Sequence, residues 1–495
     1  MDQRQKQYIL NTIRNIKRLD EQVYLVGGAV RDQILGLPIH DLDFAVKDNP
    51  ELLARKFANN SKAGYYVLDD LRHTARVVMK TNSDETTTLD FAKFRGYSIL
   101  EDLKSRDFTV NAIAEDLDHP GKLVDPLEGM EALEKHQLRL CSPAAFEDDP
   151  IRVLRAVRFS LKFHLAIDPA LMINMKKFAP MVLNPSKERQ RDEFFQILAL
   201  DQVNEGIRLL DDVGIIDLFL PQISPLKEIY LPAPSKGSVW DHTRKGIRGL
   251  DMIHSWIKTP EVMSENTSNL GQAFILILKD YLSVIRDYLK VFIIADRDRG
   301  SLLAFAALLQ DVGVKTFQSV GSTQSSSLDE INAEFAMELA GGFALGRKEQ
   351  DFIRKAIANR SLPEKLTKSI NPMDKRAIYK FFQTTGIAGI AVCLLALVDL
   401  MVIHEFSVPT EKWTELLAVT KALFNAWWVE SEKSVNVRPL LTGDDLKNEF
   451  HIKEGPRIGI LLESLKEEQA SGAIKTRAKA LAFMKKCIES EIWKK

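Results

Sequence analysis

The sequence predicts an α+β protein in which a small α/β head precedes a long helical remainder. Three observations carry this. The stretch Val23–Val46, VYLVGGAVRDQILGLPIHDLDFAV, reads as strand, glycine turn, helix, strand. Three further β-rich runs, YYVLD, ARVVMK and TTTLDFAKF, follow it within the next fifty residues. Beyond about residue 146 the apolar spacing is helical throughout. At 495 residues the chain is too long for one core, and domain-size statistics suggest roughly three to four domains.

From Asp2 to about Asp20 a charged amphipathic helix, with no signal-peptide core, leads into the first strand. VYLV ends in Gly27-Gly28, which lets the backbone approach a ligand closely, and the helix start that follows suits a phosphate. Arg31 adds a forked cation one turn in. Asp41 and Asp43 stand two apart in DLDFAV, so strand geometry sends both carboxylates to one face. Two like charges held that close are costly alone, and a divalent metal removes the cost. Pro50–Asn60 has helical spacing, and the three β-rich runs come next. Asp90, in the last of them, is either a solvated strand residue or a third acidic group beside the DLDFAV pair.

Taken together, this order of elements resembles the head-domain signature of the class II nucleotidyltransferases, the family of tRNA CCA-adding enzymes and bacterial poly(A) polymerases. The resemblance implies that Gly28 and Arg31 hold a nucleoside triphosphate and that Asp41 and Asp43 bind catalytic Mg²⁺. In SRDFTVNAIAEDL the polar pair Arg106-Asp107 heads an apolar segment, and Asp107 there has the makings of a helix cap. The family has R-R-D-F-T-x-N-A at this place, which implies that Arg106 and Asp107 meet ribose and phosphates; Ser105 replaces the family's first arginine. Leu123–Pro143 is a turn-rich connector containing a helix, similar to the family's D-P-x-x-G-x-x-D-L segment, with Ala132-Leu133 at its end.

FEDDPIRVLRAVRFSLKF, Phe146–Phe163, is the second informative stretch. Pro150 suits a first helical turn, so the simplest reading makes Asp149 an N-cap. Arg152, Arg155 and Arg158 recur every third residue on one face, which by itself describes a solvated surface. The segment also resembles the family's E-D-x-x-R-x-x-R-x-x-R-F motif, with Asp148 in place of Glu. That resemblance implies that Asp149 and Arg152 act as an amino-acid template for the incoming base, with Arg155 and Arg158 as further nucleotide contacts. The chemistry is coherent: a carboxylate only accepts and a guanidinium only donates. Cytosine and adenine each show an amino donor beside a ring-nitrogen acceptor and satisfy both partners. Uracil and guanine show a carbonyl and a ring N–H there and leave them unpaired. NPSKERQRDEFFQILAL, Asn184–Leu200, begins with Ser186 as a candidate cap and resembles the family's E-R-x-x-x-E-x-x-x-I-L segment; Arg189 and Arg191 are either RNA-backbone contacts or a solvated helix start.

After Pro221 a Pro/Gly/Ser-rich loop marks a domain boundary near Leu220–Ser238. The region to about Leu362 resembles an HD phosphohydrolase-like domain, with His242 in DHT and Gln310-Asp311 where such a site needs a His-Asp pair. The helix through Arg360 also lacks an expected histidine, so the region reads as a helical scaffold that has lost hydrolase chemistry. Its polar GSTQSSS run reads as a flexible loop. Lys375–Glu430 is helical and apolar. The remainder resembles the family's C-terminal L-x-G-x-D-L…G-P-x-I-G segment: Asp444 or Asp445 caps one helix and Gly455-Pro456 breaks into another. Lys475, Arg477, Lys479, Lys485 and Lys486 form a basic cluster, either phosphate contacts or a solvated terminal helix.

Composition narrows the classes. A formal net charge of -1 gives no global basic field, so RNA binding has to come from local patches. Three widely separated cysteines form neither a metal spacing nor a disulfide framework, which points to a reducing compartment, the cytoplasm. The apolar run GIAGIAVCLLALVDLMVI carries Asp399 and reads as a buried helix rather than a membrane span. The expected architecture is a nucleotidyltransferase head with a mixed, mainly antiparallel sheet (1–145), a helical neck that binds nucleotide and RNA (146–220), a degenerate HD-like domain (238–362) and a C-terminal helical body and tail that bind tRNA (375–495). The expected reaction is template-independent, two-metal addition of C and A from CTP and ATP to the tRNA 3′ end. A CC-adding, A-adding or poly(A)-polymerizing member of the family shares every motif quoted. A catalytically inactive RNA-binding protein and a metal-dependent hydrolase are the readings from other classes.

Overall fold

The structure, a computed structural model, describes residues 1, 3–69, 73–80, 86–230, 237–260, 268–294, 297–320, 327–368 and 374–490. It divides into two compact units, Met1–Glu193 with Asp212–Ile215, and Phe194–Asp211 with Ile216–Lys495.

In the first unit α1 (Gln3–Ile16) leads to β1 (Val23–Val26), α2 (Gly28–Ile34), β2 (Leu42–Val46) and α3 (Pro50–Ser61). Then come β3 (Gly64–Asp69), β4 (Thr74–Lys80), β5 (Thr86–Lys93), α4 (Ile99–Lys104), β6 (Ala114–Asp116) and β7 (Leu123–Val124). The seven strands form one sheet in the order β3-β4-β5-β2-β1-β6-β7. Every pairing is antiparallel except β2 with β5, so the expectation of a mixed, mainly antiparallel sheet holds. Alternation explains the register: along β5, Thr87, Leu89 and Phe91 turn inward while the residues between them stay at least partly accessible. Phe91 stacks on Phe44 of β2 at 4.9 Å and meets Phe57 of α3 at 6.4 Å, which fixes that helix on the sheet. On the other side Val26, Ala45, Phe94, Ile99, Leu103 and Ala114 form a second packed cluster.

After α5 (Gly129–Glu134) and α6 (Ala145–Asp148) the unit continues as α7 (Arg152–Lys162) and α8 (Pro169–Phe178), and α9 (Lys187–Leu198) begins within it. Asp168 caps α8 by accepting from the Leu171 amide at 2.7 Å.

Helices dominate the second unit. Val239–Lys258 opens with a capping box, Ser238 and Asp241 each bonding the other's backbone N–H. Its Gly249 marks a close approach, because a Cβ there would stand 3.1 Å from Cγ1 of Val398, which would have to give way by a few tenths of an ångström. Val398 belongs to Gly389–Ile403, whose residues from Gly389 to Val398 are all buried, so the apolar run with Asp399 is indeed a core helix. Phe194, Phe195, Phe219, Phe305 and Phe343 form an aromatic knot with centroids 5.2–6.3 Å apart. Near the C-terminal end, Gly443–Phe450, Pro456–Ala470 and Arg477–Glu489 pack around Leu446, Leu461, Leu465 and Met484. The cap of Gly443–Phe450 is Thr442, not Asp444 or Asp445. Asp445 closes the capping box from the third helical position and also takes Arg477, at 2.7 Å. The GSTQSSS run up to Ser326 and most of the loop before Ser238 lie outside the described residues.

Candidate active site

The first unit holds a cavity lined by Gly28 and Arg31, Asp43, Arg106 and Asp107, Asp149 with Arg152, Arg155 and Arg158, and Arg189, with a volume of about 580 Å³; Asp41 and Asp90 do not line it. Gly27 also lines it, at φ +70°, where a Cβ would come within 3.2 Å of Arg106 Nη1 and 3.6 Å of Asp43 Oδ2. Only glycine combines that backbone with that approach.

The β2–β5 register sets Asp43 directly beside Asp90. Asp43 keeps an accessible edge, yet protein atoms crowd it. That crowding and then the charge of Asp90, with a smaller push from Asp41, raise its carboxyl to about 6 against the pull of Arg106 and Arg76. Asp90 gives both oxygens to Arg76 on β4, at 2.7 Å each, so it is a paired strand residue rather than a free third ligand. Asp41 lies just before β2 rather than in it, is exposed, and its Oδ1 accepts from the Thr88 amide at 3.1 Å and the Thr88 hydroxyl. Among the described residues no three or more His, Cys, Asp or Glu side chains are gathered as a metal cage. The Asp41–Asp43 pair therefore fits a hard divalent cation only when other oxygens, such as those of phosphates, complete the shell, and the raised Asp43 marks negative charge that such a cation would relieve.

Around this lies a chain of paired charges. Arg31 is buried, stacks 3.9 Å over the Phe163 ring, and donates to Asp32 at 2.7 Å and to Asn111. Asn111 donates to Asp107 Oδ1 at 3.1 Å. Asp107 is no N-cap of a long helix: a three-residue 3₁₀ turn and then β6 follow it. Its Oδ2 instead receives Nε and Nη2 of Arg155, at 2.9 and 2.6 Å, across 48 residues of chain. Burial pushes the Asp107 carboxyl up, but the Arg155 charge and the hydrogen bonds outweigh it and leave it below the usual range. Glu193 of α9 then takes Arg155 at 3.2 Å and Arg158 at 2.8 Å. The arginines of α7 thus line the cavity, with Arg152 and Arg158 buried and Arg155 partly accessible. Lys162 adds a cation whose pKa is lowered by burial and by Arg158 and Arg31.

The base-reading candidates are held differently. Arg152 is buried and donates to three backbone carbonyls, Ser105 at 2.9 Å, Ala145 at 3.2 Å and Arg106 at 3.3 Å, which fixes its plane. Asp149 does not cap α7, which starts after Ile151 without a side-chain cap. Its Oδ2 accepts from Arg189 Nη2 at 2.7 Å. Arg189 therefore sits in the cavity, not on an outer face, whereas Arg191 pairs with neighbouring Asp192 at 2.8 Å and does not line it. Sequence reasoning missed Arg95, Asn111, Ile151, Phe159, Lys162, Asp192 and Glu193 as lining residues. Of the C-terminal cluster, Lys475 and Lys479 are exposed and Arg477 is paired with Asp445.

In the second unit His242 Nδ1 lies 3.1 Å from Asp311 Oδ2, and Thr243 donates to the same oxygen at 3.0 Å. Arg360 approaches Asp311 at 3.4 Å, Asp329 at 2.9 Å and Asp399 at 3.6 Å. A guanidinium thus occupies the centre of this acidic group.

A mixed sheet that presents the Asp43 carboxylate to an arginine-lined, nucleotide-sized cavity is the arrangement expected of a nucleotidyltransferase head. Residues 23–139 match the family described as the poly(A) polymerase head domain, and residues 164–227 the one described as a probable RNA and SrmB-binding site of polymerase A. Among curated relatives, the CC-adding tRNA nucleotidyltransferase of Synechocystis sp. is 27% identical over 94% of this chain and 93% of its own length. The CCA-adding enzyme of Geobacillus thermodenitrificans is 36% identical, over 44% of this chain and 55% of its own length. A CCA-adding enzyme solved in complex with ATP shares the fold with a TM-score of 0.60 at 19% identity, covering 99% of this chain and 96% of that one. The Thermotoga maritima CCA-adding enzyme complexed with tRNA gives 0.55 at 18%, with the same two coverages. Over these segments the chain is similar to the class II nucleotidyltransferases, the family of the bacterial-type tRNA CCA-adding enzymes and poly(A) polymerases.

Proposed function

We infer that this protein adds C and A residues from CTP and ATP to the 3′ end of tRNA without a nucleic-acid template, in the cytoplasm. The observation that carries the reading is that one cavity joins Asp43, the cationic set Arg31, Arg106, Arg155, Arg158 and Lys162, and the Asp149–Arg152 pair. A triphosphate needs the cations, its base needs an acceptor beside a donor, and the reacting phosphate needs the carboxylate edge. The name of the Geobacillus thermodenitrificans relative agrees with this reading.

Asp41 and Asp43 would hold Mg²⁺, which when bound lowers the pKa of the attacking hydroxyl and steadies the departing phosphates. The chain's own groups do the rest. Arg31, stacked on Phe163 and tied to Asp32 and Asn111, presents a fixed cation to the triphosphate, and Gly28 gives its phosphates close access to backbone. Asp107 and Glu193 orient Arg155 and Arg158, so their charge is in place before nucleotide arrives. Arg106, held by Asp102 at 2.8 Å, closes the side toward Asp43. Arg152, three of whose N–H groups are taken by carbonyls, keeps the others for the ring nitrogen of cytosine or adenine, and Asp149 accepts from the amino group. The tRNA 3′-oxygen then bonds to the α-phosphorus as the bond to pyrophosphate breaks. Lys475, Lys479 and Arg191 are read as contacts to the tRNA backbone, and the Asp311–Arg360 cluster as scaffold without hydrolase chemistry.

CC addition is the second reading, favoured by the Synechocystis relative that aligns along nearly the whole chain. The test common to both is Asp43→Ala, which should abolish incorporation of labelled CTP into tRNA while tRNA binding persists. Mg²⁺-dependent turnover near the wild-type rate in that variant would refute the assignment.

A further inference from the structure

The partner of Asp149 decides how that carboxylate can be used. Arg189 reaches it from the first turn of α9, Nη2 to Oδ2 at 2.7 Å, across 40 residues of chain. The Arg189 backbone N–H is engaged in turn by the Ser186 hydroxyl at 3.4 Å. Arg152 is clamped on backbone carbonyls and needs no help, but Asp149 has no such anchor: it follows α6 in extended backbone and makes no cap. A carboxylate on a free χ1–χ2 pair points several ways and offers an acceptor to many donor positions. With Oδ2 tied to a guanidinium, the carboxylate plane is held and Oδ1 is the oxygen left to accept from a base. Four residues on, Glu193 projects from the same face of α9 and holds Arg155 and Arg158, so α9 positions the arginines of α7 and the base-reading carboxylate together.

We propose that Arg189 is a specificity-determining positioning residue: by fixing the Asp149 carboxylate it sets the preference for bases that bear an amino group, and it is not primarily a contact to RNA. This deepens the reading that Asp149 reads the base and rests on it. Arg189 is about half exposed, at 54% of its side chain, so the pair adds little to stability and its removal leaves the fold intact. Arg189→Met keeps the stem's packing and removes the donor; Arg189→Lys restores a single charged donor.

The experiment measures kcat/KM for CTP, ATP, UTP and GTP, and KM for tRNA, in wild type, Arg189→Met, Arg189→Lys and Asp149→Asn. In Arg189→Met the CTP-over-UTP ratio should fall about ten-fold, the loss expected for one charge-assisted orienting bond, with KM for tRNA nearly unchanged. Arg189→Lys should recover the ratio to within about three-fold of wild type. A raised KM for tRNA in Arg189→Met with base ratios as in wild type would overturn the proposal and return Arg189 to the RNA backbone. If Asp149→Asn collapses the ratio while Arg189→Met leaves it alone, the positioning role fails and base reading by Asp149 stands. If neither variant moves the ratio, base reading itself fails, and this proposal with it.

Discussion

The acid limb of the reaction follows from one carboxylate. Asp43 is pushed up to about 6 by crowding, by Asp90 and by Asp41, and protons compete with a divalent cation for it. The ionised fraction is then roughly nine-tenths at pH 7, one-half at pH 6 and one-tenth at pH 5. The apparent affinity for Mg²⁺ should therefore weaken about ten-fold between pH 7 and pH 5, whereas a carboxylate near its ordinary value would change by only about a tenth over that range. The sign for stability runs the same way. A carboxyl raised in the folded state favours folding while it is protonated, and that contribution fades as pH rises through about 6. The metal-free protein should thus gain thermal stability from Mg²⁺ at pH 7 and little at pH 5. Asp90→Asn removes the leading charge behind the shift and frees Arg76, and both effects should move the limb to lower pH. The assay is initial rate of nucleotide addition against Mg²⁺ concentration at half-unit steps from pH 5 to pH 8, at saturating nucleotide and tRNA. A metal requirement that stays flat down to pH 5 would refute the argument.

Two further outcomes concern the second unit. Arg360→Ala leaves Asp311, Asp329 and Asp399 facing one another without their shared cation and should destabilise by about 3–5 kcal/mol, seen as a lower urea midpoint; a change under about 0.5 kcal/mol would contradict the pairing. Burial raises the Asp311 carboxyl, but the His242 hydrogen bond and the Arg360 charge outweigh it and hold it at about 2. Its contribution is complete above the unfolded carboxylate value of about 4 and is lost as pH falls through about 2, so acid unfolding of wild type should steepen in that window and flatten in Asp311→Asn.

What could be read from the sequence divides along a physical line. Strand, glycine turn and helix around Gly27-Gly28 are local, because alternation and 3.6-residue spacing are properties of neighbours, and those elements fall where the pattern puts them. The parallel β2–β5 pairing that sets Asp43 against Asp90 is not local, so Asp90 stayed ambiguous until its bond to Arg76 was visible. Asp107 and Asp149 each look like a cap in isolation, since a carboxylate before an apolar run fits one. Both are claimed instead by arginines about 40 to 50 residues away, which no spacing rule encodes. Glu193 and Arg189 sit in a charged helix where periodicity alone cannot tell an inward pair from a solvated one. In the second unit the lack of a histidine in the segment through Arg360 was legible, but the position of the Arg360 guanidinium among three carboxylates was not.

The most direct measurement uses three tRNA substrates, ending at the discriminator base, at C and at CC, incubated with the protein, Mg²⁺ and each labelled nucleotide in turn. The account predicts CTP incorporation on the first two and ATP incorporation on the third, with UTP and GTP rejected on all three and every product lost in Asp43→Ala. CTP addition without ATP addition would select the CC-adding reading. Failure of the wild type to extend any of the three, or extension that survives Asp43→Ala, would contradict the claim that this cavity transfers nucleotides to a tRNA 3′ end.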